Sequence, residues 1–71
     1  MDKVYIVFQG ADFDGQSLQG VFASRKAAEA KVAELLAEEA EELGGDHYLP
    51  RGEGEWAYCG YFIRIEQHPV A

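Results

Sequence analysis

The residues of this chain that could do chemistry are mostly carboxylates, and they are crowded. Glu34, Glu38, Glu39, Glu41, Glu42 and Asp46 follow one another with no base between Val32 and Pro50. Paired carboxylates can split their pKa values for acid–base work, but an exposed helix end does not desolvate them, so their chemistry here is electrostatic. Carboxylates three and four residues apart on a helix stand about 5–6 Å from one another. That is close to the spacing at which a nucleic-acid strand presents its phosphates. Such a row can occupy a Lys/Arg groove meant for DNA, exchanging one set of counterions for another. The six acids are therefore expected to bind a basic protein surface.

Other chemistry is thin. Asp12-Phe13-Asp14-Gly15 opens like a calcium loop but lacks the remaining ligands and the terminal Glu, so a turn is expected. His47, Cys59 and His68 share no zinc-ligand spacing. Cys59 sits in an apolar run and reads as a small core residue. A nucleophile needs a His oriented by a third group, and nothing singles out Cys59 with His47 or His68. No Gly-rich loop opens a helix to cradle phosphate. The expectation is a binding protein, not an enzyme, with no catalytic, metal or cofactor-binding residues.

The acids ride on the stretch from Ser24 to Gly45. Ser24 can cap the first free amides, the Ala, Leu, Glu and Lys between are strong helix formers, and Gly44-Gly45 offers a left-handed stop. At about 100° per residue, Ala28, Val32, Leu35, Leu36 and Leu43 share one arc, and Glu34, Glu38, Glu41 and Glu42 lie opposite. The charges sit at the wrong ends. Arg25 and Lys26 come first and the glutamates last, against a dipole preference of about 0.3–1 kcal/mol per group. A local rule broken without a folding benefit points to function, and the bland alternative is a solvated face that keeps a small protein soluble.

Val4-Tyr5-Ile6-Val7-Phe8, uncharged and β-branched or aromatic throughout, reads as a central strand. A turn at 10–15 leads to a second strand, 17–23, with Leu18 and Phe22 on one face and Gln19 and Val21 on the other. After the helix and a loop at 44–54 comes a last strand, 55–66, with Gly60 as a bulge or bend. The fold expected is α+β: a single ββαβ domain over residues 1–71. It has a three-stranded antiparallel sheet of order 2-1-3, one long helix on one face, and a short extra edge strand at 47–49. The helix arc should pack against Leu18, Phe22, Ile63 and Ile65. One helix covers one face, so Tyr5, Trp56, Tyr58 and Phe62 are candidates for an exposed aromatic sheet face. That face would serve a homodimer or an adaptor contact, the rival of the acidic one.

Thirteen acids against six bases leave a formal charge of −7, which disfavours direct binding to nucleic acid or to an anionic membrane and favours a basic partner. At 48% hydrophobic residues the chain is ordinary for a globular protein. A lone cysteine fits a reducing cytosol. No apolar run reaches membrane length, and Met1-Asp2-Lys3 leads straight into strand pattern rather than a signal peptide.

Three segments carry a resemblance: Val4-Tyr5-Ile6-Val7; Gly20-Val21-Phe22-Ala23-Ser24 running into Ala27-Ala28-Glu29-Ala30; and Tyr61-Phe62-Ile63-Arg64-Ile65-Glu66. Together they resemble a family of short phage and prophage proteins with a β-hairpin, one helix and a returning strand. The likeness leaves out the 44–54 loop, and this chain departs from the family in its longer acidic helix end. Small acidic phage proteins of this kind include anti-CRISPR proteins and other inhibitors of host nucleic-acid machinery. The resemblance taken together with the glutamate row, and not the resemblance alone, leads to the expectation of an inhibitor acting in the cytoplasm of a bacterial host, with a CRISPR effector subunit as its target. It offers no catalytic motif.

Overall fold

Two tight hairpins and one capped helix set the course of the backbone in the computed structural model, which describes residues 3–70. Met1, Asp2 and Ala71 of the expected 1–71 domain lie outside the described residues. The chain runs β1 (Lys3–Ala11), β2 (Gly15–Phe22), α1 (Arg25–Leu43), β3 (Leu49–Pro50), β4 (Glu55–Tyr58) and β5 (Tyr61–Pro69). The class is α+β, as expected.

The first hairpin closes through Asp12, Phe13 and Asp14. The Asp14 amide donates to the Ala11 carbonyl at 3.1 Å, and Gly15 takes a φ of 80°. A type I turn followed by a left-handed glycine is a favoured three-residue hairpin loop. Gly10 is required beside it, because a Cβ there would lie 2.2 Å from the Gly15 carbonyl oxygen.

The helix begins and ends as its sequence dictates. Ser24 accepts from the Ala27 amide at 3.1 Å, and Gly44, at φ 77°, turns the chain out of the helix. The Gly45 amide donates to the Ala40 carbonyl at 2.8 Å, the six-to-one bond of a Schellman stop. No acid lies in the first turn and no base in the last.

The sheet differs from the three expected strands: it has five, in the order β2-β1-β5-β4-β3, and every pair is antiparallel. The run 55–66 is not one strand. It folds back at Cys59-Gly60, whose φ values of 48° and 85° are both positive, as a two-residue I′-type hairpin turn requires. Gly60 thus marks a reversal, not a bulge or bend, and Cys59 is an exposed turn residue, not a core one. The expected edge strand at 47–49 is displaced to Leu49–Pro50, where Pro50 faces the open edge of the sheet that a proline tolerates. β1 stays next to β2, with β5 on its other side.

Val7, Ala28, Val32, Leu35 and Ile63 form the core between α1 and one sheet face, flanked by Tyr5, Phe22, Leu36, Tyr48, Trp56 and Ile65. Besides Cys59, two expected core residues miss it. The β1–β2 register skips Gln19, pairing Val7 with Gly20 and Phe8 with Leu18. That bulge turns Leu18 away from Phe22 and leaves it 59% exposed. Leu43, in the last helical turn, is 40% exposed.

Candidate functional site

Along α1 the acids separate by azimuth. Glu34, Glu38, Glu41 and Glu42 are exposed. Glu34 accepts from Lys31 Nζ at 3.2 Å, an i,i+3 ion pair. Among the described residues no ion pair reaches Glu38, Glu41 or Glu42, which together line a shallow hollow open to solvent. The arginines are engaged elsewhere: Arg25 with Glu29 and Glu53, Arg51 with Glu55, Arg64 with Glu66. Neither Arg51 nor Arg64 pairs with the helix end.

Glu39 faces the other way. Seven residues from Val32, it returns to the buried arc after two turns and is half-buried. The Tyr48 hydroxyl donates to its Oε1 at 3.2 Å. Burial, and then the Glu39 charge, push the Tyr48 phenol up to about 12. Glu39 is thus a support for the 44–54 loop rather than a member of the exposed row.

Asp46 lines a cleft of ≈ 290 Å³ with Leu36, Ala40, His47, Tyr48, Pro50 and Trp56. The His47 ring lies 5.2 Å from that of Tyr58 and the Tyr48 ring 6.0 Å from it. The Cys59 side chain, by hydrogen bond and then by charge, raises the Tyr58 phenol above its usual range. The sequence reading missed this cleft. Its signal was the apolar trio Tyr48-Leu49-Pro50 inside an otherwise polar, glycine-rich loop.

The expected aromatic face of Tyr5, Trp56, Tyr58 and Phe62 does not exist as one surface. Tyr5 and Trp56 pack against the helix side of the core, and Tyr58 pairs with Tyr61 at the Cys59-Gly60 turn. Phe62, 7% exposed, lies on the opposite face. The reason is parity: a two-residue reversal puts Tyr58 and Tyr61 on the same side, so Phe62 falls on the other. The helix-free face is built instead from Ile6, Phe8, Leu18, Val21 and Phe62. Arg64 lies across it, 5.0 Å from the Phe62 ring centroid and 5.9 Å from that of Phe8. The Arg64 guanidinium donates to Gln16 Oε1. Its Nε sits 3.0 Å from Glu66 Oε2, yet its N–H is not aligned for a hydrogen bond.

Cys59 and His68 are held far apart, His68 standing roughly 23 Å along β5 from the turn at the usual strand rise and 3.0 Å from Glu66. Among the described residues there is no group of three or more His, Cys, Asp or Glu that could hold a metal ion. No helix among them is long and apolar enough to cross a membrane. No protein-family model matches the chain, and neither a curated protein nor a solved structure does.

Proposed function

We propose that this chain is a non-enzymatic binding protein whose acidic helix face engages a basic surface of a bacterial nucleic-acid-handling protein. The finer form of the proposal is a phage- or prophage-type inhibitor, anti-CRISPR-like. It acts in the host cytoplasm and denies a CRISPR effector subunit access to its nucleic acid. The observation that carries it is that, among the described residues, no ion pair reaches Glu38, Glu41 or Glu42 at a helix's unfavourable pole, while the chain's arginines serve other carboxylates. Holding carboxylates there destabilises the free protein, and a cationic partner would relieve that cost.

The test is capture from a bacterial lysate by the native chain and by a Glu34→Gln/Glu38→Gln/Glu41→Gln/Glu42→Gln variant. The native chain should retain a basic nucleic-acid-binding protein, release it as salt rises and compete with its nucleic acid; the variant should not retain it. Equal capture by both proteins, or capture indifferent to salt, refutes the proposal.

A further inference from the structure

The cleft beside the acidic row has a composition of its own. Leu36 and Ala40, one helical turn apart, form an aliphatic wall. Trp56 and Pro50, cross-strand partners in β4 and β3, form another. His47 and Tyr48 complete the lining with flat rings, and Asp46 supplies a carboxylate. No Lys or Arg lines it. The nearest in sequence, Arg51, is held by Glu55.

With Arg51 paired to Glu55, the remaining charges and dipoles around this cleft favour a cation. Ring faces carry negative quadrupole density. The negative pole of α1 ends at Leu43, one turn past Ala40. Glu39, held by Tyr48, stands behind the aromatic wall. A metal ion is not the occupant these residues suit, since Asp46 and His47 are the only ligating groups in the lining. A strongly hydrated ammonium would also lose water against Leu36, Ala40, Trp56 and Pro50. A guanidinium is planar, weakly hydrated, stacks on aromatic rings and bonds carboxylates.

We infer that the cleft receives an arginine side chain of the partner, its guanidinium stacked among Trp56, Tyr48 and His47 and bonded to Asp46. The inference rests on the proposed function for the identity of the partner, but the cleft can be tested without it. Trp56 is the chain's one tryptophan, so its fluorescence reports occupancy. Titration with Nα-acetyl-arginine methylamide should give a saturable change. The isosteric, neutral Nα-acetyl-citrulline methylamide and the corresponding lysine derivative should bind at least about tenfold more weakly, the range of a cation–π contact combined with a charged hydrogen bond.

Asp46→Asn should weaken arginine binding by a similar factor. The Glu34→Gln/Glu38→Gln/Glu41→Gln/Glu42→Gln variant should bind it within about twofold of the native chain, since those carboxylates lie outside the lining. Absence of saturation, equal binding of arginine and citrulline, tighter binding of lysine, or indifference to Asp46→Asn overturns the inference. Loss of arginine binding in the four-fold variant does so too, by assigning the effect to the acidic row. A titrating cleft in a chain that captures nothing from lysate would leave the inference standing and refute the proposed partner.

Discussion

Replacing Glu38, Glu41 and Glu42 together by Gln should stabilise the protein, which is an unusual expectation for three simultaneous changes. The size follows from where the side chains sit. The substitution removes like-charge contacts at three- and four-residue spacing between Glu38 and each of Glu34, Glu41 and Glu42, and between Glu39 and Glu42. Each such pair costs roughly 0.2–0.5 kcal/mol. Glu41 and Glu42 also lie in the last turn, where each opposes the helix dipole by about 0.3–1 kcal/mol. All three are exposed and without an ion pair among the described residues, so no attraction is lost. Solvent screening holds the total to about 1–2 kcal/mol, or a rise in Tm of roughly 5–15 °C for a domain of this size. Gln and Glu have similar helix propensity, so the gain is electrostatic and must depend on salt. Thermal unfolding followed by circular dichroism should show it near 0.01 M salt, where the Debye length is about 30 Å, and show most of it gone near 1 M, where it is about 3 Å. A variant no more stable than the native chain, or one whose gain survives at high salt, refutes the idea that the acidic end is held at a cost.

Cys59→Asn should raise the urea midpoint, with a gain of about 0.5–1 kcal/mol. Asn tolerates the left-handed conformation that Cys59 adopts at φ 48°, and Asn-Gly is the preferred pair for this turn; a lowered midpoint contradicts that account. The Tyr48 phenol, raised to about 12, should ionise last in an absorbance titration, and Glu39→Gln should lower it. Because its pKa is raised in the folded state, the stability it lends is complete below the ordinary value near 10.0 and is lost as pH climbs from there to about 12. Tyr48 ionising with the other phenols contradicts its pairing with Glu39.

What the sequence made legible was what a few adjacent residues decide. Ser24 and Gly44-Gly45 fix the helix ends through bonds that stay inside one turn, and they could be read directly. The reversal at Cys59-Gly60 was hidden, because cysteine is not a residue that announces a positive φ and the apolar run continues through it without a polar break. That one miss changed the strand count and flipped the parity of Phe62 relative to Trp56 and Tyr58. As a result Tyr5, Trp56, Tyr58 and Phe62 do not share the one face expected for a dimer or adaptor contact. Leu18 was lost in a similar way, through a bulge at Gln19 that only pairing with β1 reveals. Glu39 was legible and overlooked: seven residues from Val32, its azimuth already placed it on the buried arc. Tyr48 and Pro50 marked one wall of the cleft, but the whole could not be assembled from the sequence because its walls come from α1, β3, β4 and the 44–54 loop.

The distribution of charge bears on the rival view that the acids only keep a small protein soluble. Six of the thirteen acids fall within residues 33–46, where there is no Lys or Arg, and the remaining seven face all six bases. The chain outside that stretch is therefore nearly neutral, and almost the whole of the net charge of −7 sits on one end of one helix and the loop after it. Solubility depends on net charge and on the absence of apolar patches, and it is served equally well by carboxylates dispersed over the surface. Dispersal would also avoid the like-charge repulsion and the opposed dipole that concentration brings. Nor does the charge shield the apolar residues of the helix-free sheet face: Leu18 and Val21 are exposed there, on the far side of the sheet from Glu38, Glu41 and Glu42. The acids that do share that face, Glu55 and Glu66, are paired with Arg51 and Arg64. Acids placed for recognition would gather as Glu38, Glu41 and Glu42 do, beside a cleft that suits a cationic side chain.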